Sequence, residues 1–317
     1  MSGEHVGRAR HRMHVEAPAG VVYAVLADAV RLPLCFSASV HVERLELDSE
    51  RERLRVWSLL DGRLRSWTAS RRLDPVERRI EFWQERSTSL LQSITGALSV
   101  RDHGPREAEL ELQYGFSTSG DLPDEVAWAA WCADLNLRTQ LTDLKRFAEQ
   151  WTRLDELALS FEDSVRIHGP AELAYDFLYR AGDWAGTVPH IVRAGLTEDA
   201  PGVQRVTLET LTGRRSQTTE SVRICFPHAG RIVYKRTVVP DLLSAHTGEW
   251  SVVPDETGVT VTGRQSVVLR EEDIAAVLGE SAGLAQARQY VRAALGSECL
   301  SLLALAKQHA ESAVRML

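Results

Sequence analysis

The sequence predicts an α+β protein of two tandem domains, each a curved antiparallel sheet of about seven strands wrapped round a long C-terminal helix. Three observations lead to this fold class. The chain of 317 residues fits two domains better than one. It carries a weak internal duplication at an offset of 152 residues. Each copy reads as a series of short alternating strands that ends in a long amphipathic helix.

The duplication starts at two apolar segments that begin with proline. Pro18 opens PAGVVYAVL and Pro170 opens PAELAYDFL. At the same offset, further matches are Tyr23 on Tyr175, Pro75 on Pro227, Phe82 on Tyr234 and Gln113 on Gln265. The segments LKRFAE (144–149) and LAKQHAE (305–311) are similar at an offset of 162, which predicts a ten-residue insertion before the last helix of the second copy. We therefore expect domains at 1–155 and 156–317.

Each copy has the same order of elements. A strand opens it, at about 5–16 and 159–168, and the proline then starts a short helix because its missing N–H costs nothing there. Period-2 runs separated by turn signals such as LDG (60–62) and FPHAG (226–230) predict an antiparallel sheet. Only the closing helix is long enough to cover the apolar face of that sheet. The arrangement is a helix-grip fold, with a cavity expected between sheet and helix.

Composition and charge exclude several classes of protein. Apolar residues make up 44% of the chain and charged residues 26%, with a net charge of −7, so disorder and bulk electrostatic binding of nucleic acid are not expected. No apolar stretch approaches about 18 residues and no signal peptide is recognisable, so we expect no membrane span and a cytoplasmic protein. Cys35, Cys132, Cys225 and Cys299 have no paired spacing, which argues against a disulfide framework or a metal site.

Common catalytic and cofactor motifs are missing from the sequence. It has no GxGxxG, no GxxxxGK[ST] and no HExxH, and we expect no cofactor. The segment 279–283 matches GxSxG, but it follows a helical stretch and only His309 lies downstream. A loop between helical segments is therefore the better interpretation of Ser281.

The most informative side chains lie on one mid-sheet strand of each copy. Side chains two apart share a face of a strand. The three that project together are Trp67, Ala69 and Arg71 in the first copy, and Thr219, Ser221 and Arg223 in the second. On a concave face the arginines would be buried opposite the long helix, and a buried guanidinium needs acceptors, which a carbonyl-rich ligand supplies. The alternative is that both arginines face solvent.

These residues resemble those of the di-domain aromatase/cyclases of bacterial type II (aromatic) polyketide synthases, members of the START-like superfamily. The resemblance covers nearly the whole chain. The family motif is Trp-x-Ser-x-Arg, and each copy keeps part of it: Trp67 and Arg71 in the first, Ser221 and Arg223 in the second.

Two further positions carry the resemblance. The family often has Trp-Pro after the first helix, where the first copy has Arg-Leu-Pro at 31–33 and the second keeps its tryptophan as Trp184. Asn136 lies in the last helix of the first copy, and Glu298 occupies the corresponding position of the second. Because each copy keeps only part of the pattern, equal activity of the two domains is in doubt.

The resemblance implies an enzyme that acts on a poly-β-ketone held by an acyl carrier protein. It implies aldol closure of the first ring, commonly C7–C12, followed by loss of water, with no cofactor. Arg71 or Arg223 would stabilise the oxyanion and Ser221, with Glu298, would move protons in the second pocket. The implied substrate-binding residues are Trp67, Trp83, Asn136, Trp184, Thr219 and Glu298.

The carrier protein and the other synthase subunits are the implied partners. Residues 51–79 hold nine arginines against four acidic residues, which would suit an acidic carrier protein. A solvated sheet edge that resists aggregation explains the same surplus equally well. Two other functions stay open: a non-catalytic START-like protein that binds a lipid, sterol or quinone, and an interaction protein that uses the fold as a docking surface.

Overall fold

The computed structural model describes residues 5–84, 91–118, 123–212 and 215–314. The chain forms two compact units, Met1–Arg153 and Leu154–Leu317. This boundary lies two residues before the one expected from the sequence. Each unit contains one seven-stranded antiparallel sheet, and the expected α+β helix-grip fold class is confirmed for both.

The first domain follows the predicted order of elements. Its elements are β1 (His5–Val15), α1 (Ala19–Ala27), α2 (Leu32–Cys35), β2 (Ser39–Leu47), β3 (Arg51–Leu60), β4 (Arg63–Asp74), β5 (Arg79–Gln84), β6 (Leu91–Gly104), β7 (Glu107–Thr118) and α3 (Pro123–Ala148). The strand order is β1-β7-β6-β5-β4-β3-β2, so β1 pairs with the last strand of its own domain.

The second domain repeats this order. Its elements are α4 (Leu154–Leu157), β8 (Ala158–Ile167), α5 (Ala171–Tyr179), β9 (Ile191–Ala200), β10 (Val203–Thr212), β11 (Arg215–Phe226), β12 (Arg231–Val238), β13 (Leu243–Asp255), β14 (Gly258–Leu269), α6 (Ile274–Leu278) and α7 (Leu284–Val314). The strand order β8-β14-β13-β12-β11-β10-β9 is the same. The predicted insertion is the segment that contains α6, and Ser281 lies exposed in the loop after it.

The long helix covers the apolar face of each sheet, as the sequence predicted. Leu144 and Ala148 of α3 are buried in one cluster with Leu110 and Leu112 of β7. In the second domain, residues of α7 and β14 form the corresponding cluster, with members that include Leu303, Ala310, Val259 and Val261. We call the helix-covered face of each sheet its concave face.

Matched hydrogen bonds tie the end of the long helix to the first strand in both domains. Lys145 donates to the carbonyl of His14 at 2.9 Å, and Lys307 donates to the carbonyl of Arg166 at 2.8 Å. The carboxylates of Glu149 and Glu311 accept from the backbone N–H groups of Glu16 and His168, at 2.9 and 2.8 Å. These pairs confirm the offset of 162 at the C-terminal end of the repeat.

One match of the predicted duplication is wrong. Gln265 is buried, whereas Gln113 is exposed. The register of β6 and β7 shifts between Asp102 and Gly104, a bulge that the turn between β13 and β14 lacks. This extra residue changes the offset to 151, so that Tyr114, and not Gln113, occupies the position of Gln265. A shift of one residue exchanges the two faces of a strand, which explains the opposite burial.

Candidate functional site

The two arginines singled out from the sequence are both buried. The exposed fraction is 7% for Arg71 on β4 and 3% for Arg223 on β11. The register pairs them with Phe82 and Tyr234, which pack against the two apolar clusters, so both arginines lie on the concave faces. The alternative that they face solvent is therefore wrong.

Arg71 is held by acceptors of its own domain. Its Nε donates to Oε1 of Glu52 at 2.7 Å, and its Nη2 also contacts this carboxylate. Its Nη1 and Nη2 donate to the carbonyls of Leu26 and Ala27, at 2.8 and 2.9 Å, at the C-terminal end of α1. Burial lowers the pKa of Arg71 and the Glu52 carboxylate opposes this shift. The guanidinium thus closes the end of a helix whose last carbonyls need donors.

Arg223 has far fewer partners. Its Nη2 donates to the carbonyl of Leu178, the end of α5, and its guanidinium carbon lies 5.5 Å from the ring centre of Trp184. Its Nε and Nη1 are buried and meet no hydrogen-bond partner within the described residues. Burial lowers the pKa of Arg223, with neighbouring Cys225 and tyrosines opposing the shift. The ring of Trp184 gives a cation–π contact but cannot replace an acceptor in the plane of the guanidinium.

The other predicted residues of the second domain surround this strand. Thr219 is buried and Ser221 is half-buried on the same face of β11. Ser221 pairs in register with Arg236 of β12, whose Nη2 lies 3.6 Å from Oε2 of Glu298 on α7. An ion pair therefore bridges the sheet and the helix next to Ser221.

The sequence missed two titratable side chains on this face. Tyr234 lies opposite Arg223 in register, and its ring centre is 5.8 Å from that of His246 on β13. His246 is fully buried; its Nε2 lies 3.0 Å from Oε1 of Gln265, and its Nδ1 finds no partner among the described residues. Burial, assisted by nearby Arg236, lowers the pKa of His246 well below its usual value, so the imidazole is neutral. The sequence did hold a signal for Tyr234: the repeat aligns it with Phe82, so an apolar ring in the first domain corresponds to a ring with a hydroxyl in the second.

The corresponding face of the first domain is less polar. At the offset of 152, Ala69, Phe82 and Ile94 stand where the second domain has Ser221, Tyr234 and His246. Trp67 is half-buried on β4 and Asn136 is half-buried on α3. The two concave faces therefore share one arginine but differ in the groups around it.

Two predicted tryptophans have different surroundings from those expected. Trp83 pairs in register with Ser70, and so lies on the face opposite Arg71; its assignment to the concave face is wrong because side chains alternate along a strand. Phe82 occupies the concave position instead. Trp184 is buried in the second core, and its Nε1 donates to the carbonyl of Phe177 at 3.0 Å. Its ring lies against the guanidinium of Arg223, and this is its contact with the site.

A groove of about 740 Å³ lies in the second domain between α5 and the turns near Pro201 and Pro227. Tyr175, Glu198 and Cys225 are among its lining residues. Cys225 is two residues beyond Arg223 and therefore on the same face of β11. The hydroxyl of Tyr175 is buried and meets no partner in the described part of the chain, and burial raises its pKa. The groove thus reaches one side of the Arg223 site, with a volume usual for small-molecule sites.

Among the described residues, no helix is long and apolar enough to cross a membrane, and no group of three or more histidine, cysteine or acidic side chains is arranged to hold a metal ion.

Comparison with known proteins gives consistent matches. Residues 158–302 match the family model described as polyketide cyclase / dehydrase and lipid transport. The chain is 35% identical over 310 residues to the granaticin polyketide synthase bifunctional cyclase/dehydratase of Streptomyces violaceoruber, covering 97% of this chain and 95% of that protein. It is also 35% identical to the actinorhodin polyketide synthase bifunctional cyclase/dehydratase of Streptomyces coelicolor, covering 95% of each chain.

Two solved structures agree over both domains. The di-domain ARO/CYC BexL from the BE-7585A biosynthetic pathway is 40% identical and superposes with a TM-score of 0.85, covering 96% of this chain and 99% of BexL. The di-domain ARO/CYC StfQ from the steffimycin biosynthetic pathway is 30% identical, with a TM-score of 0.84 and the same coverage. With two helix-grip domains, a buried arginine on the same strand of each and relatives of this similarity over their full lengths, the chain belongs to the di-domain polyketide aromatase/cyclase (ARO/CYC) family.

Proposed function

We propose that the chain catalyses the first-ring aldol cyclisation, between C7 and C12, and the dehydration of a poly-β-ketone carried by an acyl carrier protein. The observation that carries the proposal is a buried guanidinium on the concave face of a mid-sheet strand. The relatives are named bifunctional cyclase/dehydratases, which supports this class of reaction. Neither step oxidises or reduces the substrate, so neither needs a redox cofactor, and the loss of water is a lyase-type elimination.

The bond changes assign tasks to the side chains. A proton leaves C12, the C12–C7 bond forms, and the C7 carbonyl oxygen gains the negative charge and then a proton. Dehydration removes this oxygen as water together with a hydrogen of a neighbouring carbon, and enolisation of the ring completes the aromatic system. A fixed guanidinium stabilises the oxyanion best where water is excluded. Arginine keeps its own proton, so the proton transfers need other groups.

The second domain supplies such groups. We assign proton transfer to Ser221, with Glu298 paired to Arg236, the cross-strand neighbour of Ser221. His246 is a further candidate because its Nδ1 meets no partner among the described residues and can accept a hydrogen bond. Thr219 and Trp184 would contact substrate there. In the first domain, Trp67 and Asn136 would line the binding surface and restrict the long ketone chain to one fold, an entropic contribution.

Product analysis tests this function. A minimal polyketide synthase is reconstituted with the wild-type protein, Arg71→Ala or Arg223→Ala, on unreduced and on ketoreduced chains. We expect the wild type to shift the product profile from shunt products to one first-ring aromatic product, and at least one variant to lower the yield of that product about a hundredfold. A wild-type protein that leaves both product profiles unchanged would contradict the enzyme and favour a START-like lipid- or quinone-binding protein.

The carrier protein is the proposed partner, in the cytoplasm with the other synthase subunits. Several arginines of 51–79 are paired with acidic residues, among them Arg53 with Glu46 and Arg78 with Asp102. Arg63 and Arg65 are exposed at the tip of the β3–β4 hairpin, which turns through Asp61 and Gly62 with positive φ angles. They alternate in step with Trp67 and Arg71, so they continue the concave face as far as the hairpin tip.

Charge reversal at this tip tests the docking proposal. We expect the double variant Arg63→Glu/Arg65→Glu to raise KM for the carrier-bound substrate about tenfold and to leave kcat unchanged, because rim charges act mainly on encounter. Arg78→Glu and Arg79→Glu, in the turn before β5 and at the start of β5, serve as controls at the opposite end of β4. Equal effects of both pairs would show that general charge, and not this tip, matters.

A further inference from the structure

We propose that Arg223 of the second domain, and not Arg71 of the first, donates hydrogen bonds to the substrate oxygens, and that the exchange of Glu52 for Gln204 between the domains determines this. The inference rests on the proposed function and specifies where its oxyanion chemistry takes place. It follows from a comparison of two buried sites that the duplication makes equivalent.

In the first domain the guanidinium is occupied. Of the five N–H groups of an arginine, Arg71 uses four, on the Glu52 carboxylate and on the carbonyls of Leu26 and Ala27. Glu52 is itself 2% exposed and also accepts from Nε of Arg44 at 2.8 Å. The buried charge is therefore compensated, and a substrate oxygen would have to displace an ion pair to reach it.

In the second domain the same position is uncompensated. Gln204 lies directly opposite Arg223 in the register of β10 and β11, as Glu52 lies opposite Arg71 in that of β3 and β4. The amide carries no charge, and Leu196 stands where Arg44 stands in the first domain. Only the helix-end contact to Leu178 is retained. A carboxylate has thus been exchanged for an amide without a replacement acceptor in the described part of the domain.

The result is a cluster of buried polar atoms without partners. Nε and Nη1 of Arg223 and the hydroxyl of Tyr175 lack a hydrogen-bond partner among the described residues. The buried amide of Gln204 lies opposite Arg223, and its own neighbours are Tyr179 and Glu198, the latter opposite it on β9. Gln204 is 0% exposed and Arg223 is 3% exposed. Leaving such groups unsatisfied is costly, so oxygen atoms are needed at this place, which water supplies in the free protein and a ligand can supply by displacing it. The groove that Tyr175 and Cys225 line ends beside this cluster.

The chemistry of the cluster selects the ligand class. A full positive charge with free N–H groups favours an oxygen that carries negative charge. A neutral amide beside it both donates and accepts, and so can bind a carbonyl and an enol of the same ligand. A β-dicarbonyl unit and its enolate have this combination. The equivalent site of the first domain offers them only one remaining N–H.

Matched double variants in the two domains test the assignment. Arg71→Met/Glu52→Leu and Arg223→Met/Gln204→Leu each remove both members of one buried pair, a change that proteins often tolerate. In the reconstituted synthase we expect the first to change the yield of ring product by less than about threefold, and the second to lower it about a hundredfold. Gln204→Glu, which recreates the pair of the first domain, should lower it about as much.

A binding measurement separates this inference from the proposed reaction. 2,4-Pentanedione is titrated into the full-length protein while the arginine Nε–H resonances are followed by NMR. A saturable shift of the Arg223 signal, identified by its loss in Arg223→Met/Gln204→Leu and reduced in Gln204→Glu, is the expected result. A shift of the Arg71 signal instead, or loss of ring product in Arg71→Met/Glu52→Leu with the fold retained, would overturn the inference. A wild type without ring product would overturn the reaction only, because the titration does not depend on it.

Discussion

Glu111 shows how strongly one buried carboxylate can depend on its donors. Its side chain is 3% exposed on the face of β7 opposite α3, where Arg12 donates to it at 2.9 Å and Arg10 and Gln113 also contact it. Hydrogen bonds from these donors, led by Arg10, lower the pKa of Glu111 to about 2, against the opposing effect of burial. The folded protein therefore holds this carboxylate ionised at pH values where the unfolded chain would protonate it.

This difference predicts a pH dependence of stability. Because the folded pKa is the lower one, the contribution of Glu111 is complete above about pH 4.5 and is lost as the pH falls toward 2. Between these values we expect the urea midpoint of the wild type to fall more steeply than that of Glu111→Gln, with parallel curves at higher pH. Far-UV circular dichroism measures both, and parallel curves throughout would contradict the assignment.

At the scale of residues, the sequence identified the two arginines but not what surrounds them. Period-2 alternation was enough to place Arg71 and Arg223 on one face. Their partners Glu52 and Gln204 belong to the neighbouring strands, and the register between strands cannot be read from the sequence. The same limit caused the error at Trp83, whose face depends on where β5 begins.

At the scale of elements, the hydrogen bonds between the long helix and the first strand are the best matched feature of the two domains. Lys145 and Lys307 each cap a strand-end carbonyl from a helix. Because both lysine side chains are partly exposed, we take the contribution of an ordinary hydrogen bond, about 1 kcal/mol. We expect Lys145→Met to accelerate amide hydrogen exchange about fivefold in β1 and the end of α3. Lys307→Met should do the same in β8 and α7.

Each variant is the control for the other, since the two changes are chemically identical. Exchange measured by mass spectrometry over the whole chain would show whether the effect stays in the domain that carries the change. Equal acceleration in both domains after one substitution would contradict a local role of these bonds.

The elements themselves followed closely from the sequence because their signals are local. Proline before a short helix, alternation between turn residues and three- and four-residue spacing each require only a few neighbouring residues. The segment with α6 was also expected as an insertion. The bulge at His103 was not, because a bulge adds one residue without changing the alternation on either side of it.

At the scale of the whole molecule, the duplication explains both what the domains share and how they differ. The shared features are the sheet order, the arginine that closes the first helix and the end of the long helix. The differences lie on the concave faces: the first domain has apolar side chains at the positions where the second domain has titratable ones. The fold and the candidate residues could thus be predicted from internal similarity. Which site carries a compensated charge could be seen only from the cross-strand pairs Glu52–Arg71 and Gln204–Arg223.

The His103 bulge also limits how the two copies can be recombined. A chimera that joins the first six strands of one domain to the last strand and helix of the other has to follow the offset of 151 residues beyond the bulge. The Gln113–Gln265 match corresponds to the offset of 152. A junction placed at the start of the last strand by this offset would turn Leu110 and Leu112 outward and place Glu111 under the helix. Sequence alignment alone would therefore direct a domain-shuffling experiment to an inside-out strand.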